Sequence, residues 1–265
     1  MAQATHRDDA SPRILVDFPG DRIAVVTLNR PEKANAIDAD LTDQLQRAVR
    51  ELEADDGVDV VILAAAGDGV FCAGADLAVV LAGRQGSLFP DDGGFAGFVR
   101  APRAKPWIAV VDGAALAGGF EIVLACDLVV ASLRAKFGLP EVKWGLLAAA
   151  GGVQRLPHRL APAIAREMIL TGQPIRAESA LSYGLINRIV EPADLMRVAM
   201  DLARTISGNS GPSVRASVEL IRRTLGEEDP EIWAETERVG HALAAGPEAA
   251  RRIGVFVGGK RRAEP

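Results

Sequence analysis

The sequence is poor in the residues that build disulfide frameworks and metal sites. It contains two cysteines, Cys72 and Cys126, and both lie within apolar runs, as is typical of small core residues in a reducing compartment. Its three histidines, His6, His158 and His241, are scattered along the chain without the spacing of metal ligands. We therefore expect neither a disulfide-stapled domain nor a metal centre.

Excess positive charge and a long uninterrupted apolar run are also missing. The formal net charge is −5, and beyond residues 260–262 there is no basic cluster, so binding to nucleic acid or to an anionic membrane is not predicted. The longest apolar region, residues 107–132, is interrupted by Asp112, Glu121 and Asp127. We therefore predict no transmembrane helix.

The N-terminus lacks the apolar core of a secretory signal. Residues 1–12 are polar and are predicted to form a flexible tail, so the expected location of the protein is the cytoplasm. The rest has the balance of a globular protein, with 49% hydrophobic and 25% charged residues. A chain of 265 residues is long enough for one large domain.

Apolar runs and helical spacing alternate along the chain. The predicted strands are residues 14–18, 22–29, 58–66, 106–113 and 126–132, with a further short strand within 184–192. A helix follows Asp38, and later helices are predicted at 156–170, 177–183, 193–206, 213–225 and 231–244. This order predicts an α/β fold with a parallel sheet, a core over 13–200 and a helical region over 201–265. Residues 78–103, with scattered Gly, Pro and Asp, are predicted to form a mobile loop or lid.

Two turns rich in small residues connect a strand to a helix. In FCAGADL (71–77) the helix begins near Asp76, and in ALAGGFE (115–121) it begins at Gly118-Gly119. Such turns can aim unpaired backbone N–H groups at one oxygen atom, where they would stabilise developing negative charge. The alternative interpretation of the first turn is a tight connection that Asp76 caps.

Two carboxylates accompany these turns in apolar surroundings. Glu121 lies in the first turn of the helix that starts at Gly118, and Glu141 follows Pro140 in FGLPEVKWGL (137–146). A pair of acids in an apolar site is suited to general acid–base catalysis. Each acid alone also fits a structural role, because glutamate is favoured near helix N-termini.

Many short motifs occur together in a fixed order. They are Asn29-Arg30-Pro31, Asn35-Ala36, Phe71-Cys72-Ala73-Gly74-Ala75-Asp76, Lys105-Pro106, Gly113, Gly118-Gly119, Cys126-Asp127, Phe137-Gly138, Pro140-Glu141, Gly145-Leu146, Gly151-Gly152 and Gln154-Arg155-Leu156. This ordered set, over roughly residues 13–260, resembles the enoyl-CoA hydratase/isomerase (crotonase) family. No single motif is specific, whereas the set is.

The resemblance implies a fold, a reaction and an assembly. The implied fold is a crotonase-like spiral of ββα units followed by a helical trimerisation region, with a homotrimer or a dimer of trimers as the assembly. The implied substrate is an acyl-CoA thioester, with coenzyme A as part of the substrate and no separate cofactor. The N–H groups of Ala75 and Gly118 would hold the thioester oxygen. Glu121 would act as the base towards a water, and Glu141 would exchange the proton at the α-carbon.

The resemblance also implies residues that contact the substrate. These are Lys33, Ala34, Ala36, Ala73, Asp76, Leu77, Pro140, Trp144 and Ala149. Two positions depart from the family pattern. Ala78 stands where hydratases often have a lysine, and Leu147-Ala148-Ala149 stands where many have a Pro-Gly pair that helps to hold the catalytic water. The backbone N–H of Ala149 is expected to take over this contact, and Trp144 is expected either to narrow the acyl pocket or to pack in the core.

Several functions are compatible with these motifs. The leading one is an enoyl-CoA hydratase, and its alternatives are a related dehydratase or a double-bond isomerase. Retention of both glutamates favours water chemistry over isomerisation and argues against a non-catalytic acyl-CoA binding protein. The acidic net charge argues against an RNA-binding role. The single tyrosine, Tyr183, lies in a predicted helix and matches no acting position of the ring-forming or dehalogenating members.

Overall fold

Strands and helices alternate through most of the chain, as predicted. The computed structural model describes residues 12–225 and 229–263, so the tail predicted at 1–12 lies, except for Pro12, outside the described residues. The strands are β1 Ile14–Gly20, β2 Ile23–Leu28, β3 Val60–Ala65, β4 Val70–Cys72, β5 Trp107–Val111, β6 Ala114–Leu116, β7 Leu128–Ser132, β8 Lys136–Gly138, β9 Ile175–Arg176 and β10 Arg188–Val190. The helices are α1 Ala39–Ala54, α2 Leu77–Leu81, α3 Gly118–Leu124, α4 Gly152–Arg159, α5 Pro162–Thr171, α6 Ala177–Ser182, α7 Leu195–Ser207, α8 Gly211–Thr224, α9 Pro230–Ala244 and α10 Pro247–Ala263.

The strands form two sheets, one of six strands and one of four. The larger sheet has the order β1-β2-β3-β5-β7-β10, in which the β1–β2 pair is antiparallel and the other pairs are parallel. The smaller sheet has the order β4-β6-β8-β9, with only β8–β9 antiparallel. From β3 to the 3-10 helix Pro140–Trp144, three successive turns of the chain each add one strand to each sheet and then a helix or helical turn. This arrangement confirms the spiral of ββα units.

The smaller sheet determines where the chemical motifs meet. Its strands β4, β6 and β8 run parallel, so their carboxyl ends lie at the same edge of the sheet. The turn containing Ala75 follows β4, the turn containing Gly118 follows β6, and Glu141 follows β8. Three segments that are far apart in sequence are thus brought together at one edge.

The central strands of the larger sheet are buried on both faces, as their continuous apolar runs predict. In β5 every residue is buried, and in β3 all but the last are. Their outer face is covered by α7, whose Ala199, Met200 and Ala203 pack against it. The boundary expected at residue 200 therefore falls inside a helix that belongs to the core.

The structure corrects two expectations about individual segments. The helix predicted at 156–170 is two helices, since the chain leaves the helical conformation at Leu160 and restarts with Pro162 at the first position of α5. The helix α10 lies within the helical region predicted over 201–265, although its bounds were not predicted. The segment 78–103, predicted to be a mobile lid, contains α2 and two short 3-10 helices, and its second half is fixed in the core by the buried rings of Phe95 and Phe98.

The C-terminal helices differ in how much they bury. None of the residues of α8 is fully buried, and its Leu220 and Ile221 are exposed. By contrast, α9 buries Trp233, and α10 contacts α2 and the 3-10 helix Pro140–Trp144. Within the described residues, no helix is long and apolar enough to cross a membrane.

Candidate active site

The turn after β4 is held by Asp76. This residue is the N-cap of α2, accepting a hydrogen bond from the Ala78 N–H at 3.0 Å, and it pairs with Arg30 Nη1 at 2.8 Å. The sharp bend before it occurs at Gly74, which has a φ of 90°. The capping interpretation of Asp76 is confirmed, and it places the Ala75 N–H at the start of the helix.

A buried asparagine fastens the loop after β2 to this turn. Asn35 Oδ1 accepts from the Arg30 N–H at 2.8 Å, while its Nδ2 donates to the carbonyls of Ala66 at 2.9 Å and Phe71 at 3.1 Å. The Asn35 carbonyl in turn accepts from the Cys72 thiol, at 3.1 Å. Asn35 is completely buried, so these bonds fix β4 and the turn that follows it.

The turn after β6 is strained and tightly packed. Ala117, the N-cap of α3, has φ 51° and ψ −132°, a conformation that non-glycine residues rarely adopt. A Cβ at Gly118 would overlap the ring of Phe95, and one at Gly119 would overlap the backbone of Cys72. Only glycine at both positions lets α3 begin this close to its neighbours.

The two turns place two unpaired N–H groups side by side. A Cβ added at Gly74 would lie only 2.9 Å from the Gly118 nitrogen, so the two turns are in direct contact. Within residues 12–225 and 229–263, neither the Ala75 N–H nor the Gly118 N–H donates to a protein acceptor. Fixed, unpaired donors at adjacent helix starts can bind a carbonyl oxygen and stabilise negative charge on it.

Glu121 is buried and accepts hydrogen bonds from the loop before α4. Its Oε1 accepts from the Gly152 N–H at 2.8 Å, and only 3% of the residue is exposed. Burial raises the pKa of Glu121 to about 7, and the N–H groups of Gly152 and Ala150 and the charge of Arg155 limit this rise. A carboxyl group with this pKa can both accept and release a proton near neutral pH.

Glu141 is buried beside it with no comparable support. It lies in the 3-10 helix Pro140–Trp144 with 6% exposure, and among the described residues no other residue offers a hydrogen bond to either carboxylate oxygen. Burial, and then the proximity of Glu121, raise the pKa of Glu141 well above its ordinary value. Because two like charges are costly to bury together, at least one of the pair holds a proton near neutral pH.

Most residues predicted to contact coenzyme A lie around the first turn. The Ala73 N–H donates to the Ala34 carbonyl at 3.0 Å, which joins the two segments that carry these residues. Ala36 and Leu77 are half-buried in the same region, whereas Lys33 is exposed. Their placement is compatible with one extended site, and their contacts with a substrate stay a prediction.

Trp144 packs against the C-terminal helix rather than in the core. It is half-buried, and its ring centroid lies 4.6 Å from that of Phe256 in α10. A second contact joins the same segments, since Arg252 Nη1 in α10 donates to the Lys143 carbonyl at 3.2 Å. Both contacts attach the 3-10 helix Pro140–Trp144 to α10. The structure indicates a contact with the C-terminal helix, which the sequence did not predict.

The backbone contact expected at Ala149 has a different geometry. The Ala149 N–H donates to the Leu147 carbonyl at 2.8 Å and is therefore engaged within its own turn. The N–H groups that face Glu121 are those of Ala150 and Gly152 instead. The expectation that Ala149 supplies a free donor is not supported, because the alanine-rich loop folds back on itself.

The sequence analysis missed several residues that shape the site. Asn35 and Gly152 belong to the quoted motifs but received no role, because their hydrogen bonds cross between segments. Arg155 also lies in a motif, and its Nη2 donates to the Val99 carbonyl at 2.7 Å behind Glu121. Phe95, whose ring touches Gly118, had no signal, since it lies in a segment without periodicity.

Comparisons with known proteins place the chain among related sequences. Residues 20–250 match the family enoyl-CoA hydratase/isomerase. The short-chain-enoyl-CoA hydratase of Clostridium acetobutylicum is 37% identical over 230 residues, which are 84% of this chain and 87% of that protein. The carnitinyl-CoA dehydratase of Escherichia coli K12 is 42% identical over 206 residues, which are 77% and 78% of the two chains.

Solved structures show the same relationship. A carnitinyl-CoA dehydratase from Mycobacterium avium 104 is 41% identical, with a TM-score of 0.85 over 90% of this chain and 94% of that one. The family match covers well over half of the chain, and the fold agrees with the resemblance found in the motifs. This chain belongs to the enoyl-CoA hydratase/isomerase (crotonase) family.

Proposed function

We propose that the protein is an enoyl-CoA hydratase, which adds water across the 2,3 double bond of an acyl-CoA thioester. The observation that carries this proposal is the pairing of two buried carboxyl groups, Glu121 and Glu141, with two unpaired N–H groups at Ala75 and Gly118. The relatives named as enoyl-CoA hydratases support the same reaction. The reaction needs no cofactor beyond the coenzyme A of the substrate.

The proposed mechanism uses each of these groups once. The thioester oxygen accepts hydrogen bonds from the Ala75 and Gly118 N–H groups, which form an oxyanion hole. Ionised Glu121 takes a proton from a water whose oxygen bonds to C3, and the π electrons of the double bond move towards the thioester oxygen. Protonated Glu141 then gives its proton to C2 as the enolate collapses. Exchange of a proton between the two carboxyl groups returns the site to its starting state.

The raised pKa values suit this assignment. A base works best when its pKa lies near the working pH, and burial brings the pKa of Glu121 to about 7. The acid must keep its proton until the enolate forms, and burial together with Glu121 raises the pKa of Glu141 well above its ordinary value. The two environments thus separate the roles of base and acid.

Dehydration of a 3-hydroxyacyl-CoA is the second candidate reaction. It is the same chemistry in reverse and would use the same four groups. The identity with proteins named carnitinyl-CoA dehydratase supports this second candidate. Isomerisation is less well supported, because one carboxyl group would suffice for it and this site retains both.

The test is consumption of enoyl-CoA by the purified protein. We expect loss of the enoyl-thioester absorbance with substrates of short or medium chain length, and a large loss of rate in Glu121→Gln and in Glu141→Gln. The matched control is Glu167→Gln, which changes an exposed glutamate on α5. If the wild type neither hydrates any enoyl-CoA nor dehydrates any 3-hydroxyacyl-CoA, the proposal is wrong. If Glu121→Gln keeps the full rate, the role of Glu121 is wrong.

The assembly is proposed to be a homotrimer or a dimer of trimers. The support is α8, which leaves Leu220 and Ile221 exposed and buries none of its residues fully. Light scattering of the purified protein tests it, and a monomer would contradict it. The cytoplasmic location and the absence of nucleic-acid binding stay predictions from the sequence.

A further inference from the structure

Helix α9 contacts both halves of the candidate site along one face. Its Trp233 ring lies under Arg155, with 5.2 Å between the guanidinium carbon and the ring centroid. Two turns later, the ring of His241 lies 6.3 Å from that of Phe89. Phe89 in turn packs at 5.3 Å on Phe95, the ring that touches Gly118. The helix therefore spans from the loop behind Glu121 to the aromatic cover of the Gly118 turn.

Gly240 is the residue of α9 that lies against Ala149 in the loop before α4. A Cβ added at Gly240 would lie 2.7 Å from the Cβ of Ala149, closer than two such carbons can come without movement. Neither atom belongs to a flexible side chain, so the helix or the loop would have to shift. Glycine is a poor helix former in a helix interior. Helix propensity therefore does not explain a glycine at position 240, whereas the close contact with Ala149 does.

The loop that α9 touches is the one that holds Glu121. Ala149 directly precedes Ala150, and the N–H groups of Ala150 and Gly152 both support the Glu121 carboxylate. The loop has little room to adjust, because a Cβ at Gly152 would meet the Ala148 methyl at 2.8 Å and Glu121 Oε1 at 3.0 Å. A displacement at Ala149 is therefore transmitted to the two donors.

We propose that Gly240 is a positioning residue for the reaction: by presenting no side chain, it lets α9 close on Ala149 and fixes the loop whose N–H groups orient Glu121. The pair of Gly240 and Ala149 is a matched contact in which one methyl group fits and two do not. This inference rests on the proposed function, since it assigns Gly240 a part in the same site.

The test is a double-mutant cycle on this contact. Gly240→Ala adds the second methyl group, and Ala149→Gly/Gly240→Ala removes the first one while keeping the second. We expect Gly240→Ala to lower kcat about ten- to a hundred-fold with a smaller effect on KM, because it displaces a reacting group rather than the bound substrate. The double variant should recover most of the lost kcat. The control is Gly254→Ala in α10, where an added Cβ meets nothing within 4 Å and activity should not change.

The pH profile separates positioning from general destabilisation. Loss of the two N–H bonds raises the pKa of Glu121 further, so the acid limb of kcat/KM should move to higher pH in Gly240→Ala and return in the double variant. A merely structural role would leave this limb in place. An unchanged kcat in Gly240→Ala, an unmoved acid limb, or a double variant no better than the single one would overturn the proposal.

Thermal unfolding supplies a readout that needs no activity. We expect Gly240→Ala to lower the Tm and the double variant to restore it, whereas Gly254→Ala should raise the Tm as alanine replaces glycine on an open helix surface. If Gly240→Ala fails to fold, recovery of a folded protein in the double variant supports the contact, and its failure to recover overturns it. If the double variant restores the Tm but the wild type has no activity, the contact between Gly240 and Ala149 is supported. The proposed hydratase function is then refuted instead.

Discussion

Removal of the Glu121 carboxylate is expected to stabilise the protein, and mainly at neutral or alkaline pH. Glu121 is buried, and burial raises its pKa from the ordinary 4.5 to about 7. The folded state therefore disfavours the ionised carboxylate relative to the unfolded chain. Glu121→Gln keeps an oxygen that can accept the Gly152 N–H and removes the need to bury a charge.

The size and the pH window follow from the two pKa values. Below about pH 4.5 both states hold the proton, so the carboxyl group carries no penalty. Between pH 4.5 and about 7 the unfolded chain releases the proton while the folded protein keeps it, so stability falls as the pH rises. Above pH 7 the penalty is complete, at about 3 kcal/mol, since each pKa unit corresponds to about 1.4 kcal/mol. At pH 5 it is still below about 1 kcal/mol.

Urea unfolding at pH 5 and pH 8, at one protein concentration, measures this difference. We expect Glu121→Gln to exceed the wild type in free energy of unfolding by about 3 kcal/mol at pH 8 and by about 1 kcal/mol or less at pH 5. Glu167→Gln on the exposed face of α5 should stay within about 0.5 kcal/mol of the wild type at both pH values. Equal stability of Glu121→Gln and the wild type at pH 8, or the same difference at both pH values, would refute the reasoning.

Three further predictions address the site and its support. Gly118→Ala should lower kcat about 10²- to 10³-fold, because the new methyl group overlaps the buried ring of Phe95 and displaces the proposed oxyanion donor. The control in the same assay is Gly86→Ala, whose Cβ meets nothing within 4 Å. The kcat/KM of the wild type should rise with pH through about 7 as Glu121 ionises, and a flat profile between about pH 6 and 8 would contradict its role as the base. Asn35→Ala should lower the free energy of unfolding, measured in urea, by about 3 kcal/mol or more, since it leaves several buried backbone groups without partners. A loss under about 1 kcal/mol would show that other contacts hold the loop after β2.

The larger sheet could be predicted from the sequence because each of its central strands carries its own signal. The apolar runs at 58–66 and 106–113 are continuous, whereas a strand buried on one face needs only alternating apolar residues. Both runs form strands that are covered on both faces. The helix starts at Asp38 and Asp76 were equally predictable. Each has a side chain that accepts a hydrogen bond from its own helix, a contact set by local sequence alone.

The smaller sheet could not be predicted from such signals. The strands β4, β6 and β8 have three residues each, which is too short for an alternating pattern to be recognised. Their position depends on partners elsewhere in the chain, such as Asn35, which binds the carbonyls around β4 from a distance of more than 30 residues in sequence. The proximity of the two N–H groups was therefore a hypothesis until the parallel register of these strands was known.

In the segment 78–103 the sequence predicted mobility for residues that the structure packs into the core. Its glycines and prolines indicate an irregular connection, and the connection is irregular, but irregular backbone need not be mobile. Phe98 packs against Trp107 at 5.0 Å between ring centroids, and Phe95 fills the space that Gly118 leaves open. Long-range aromatic contacts of this kind override local composition and leave no periodic trace in the sequence.

Glu121 and Glu141 each have two possible explanations, a structural role at a helix start and a role in catalysis. A glutamate near a helix start is ordinary when its side chain caps that helix or lies in solvent. Neither condition holds here: the starts of α3 and of the 3-10 helix Pro140–Trp144 have no side-chain cap, and both residues are buried. Glu121 accepts from another helix, and among the described residues Glu141 accepts from no other residue. Two buried carboxyl groups with raised pKa values destabilise the fold, and no local structural role compensates for this. Their position side by side, next to two N–H groups without a described acceptor, is what the proposed proton transfer requires.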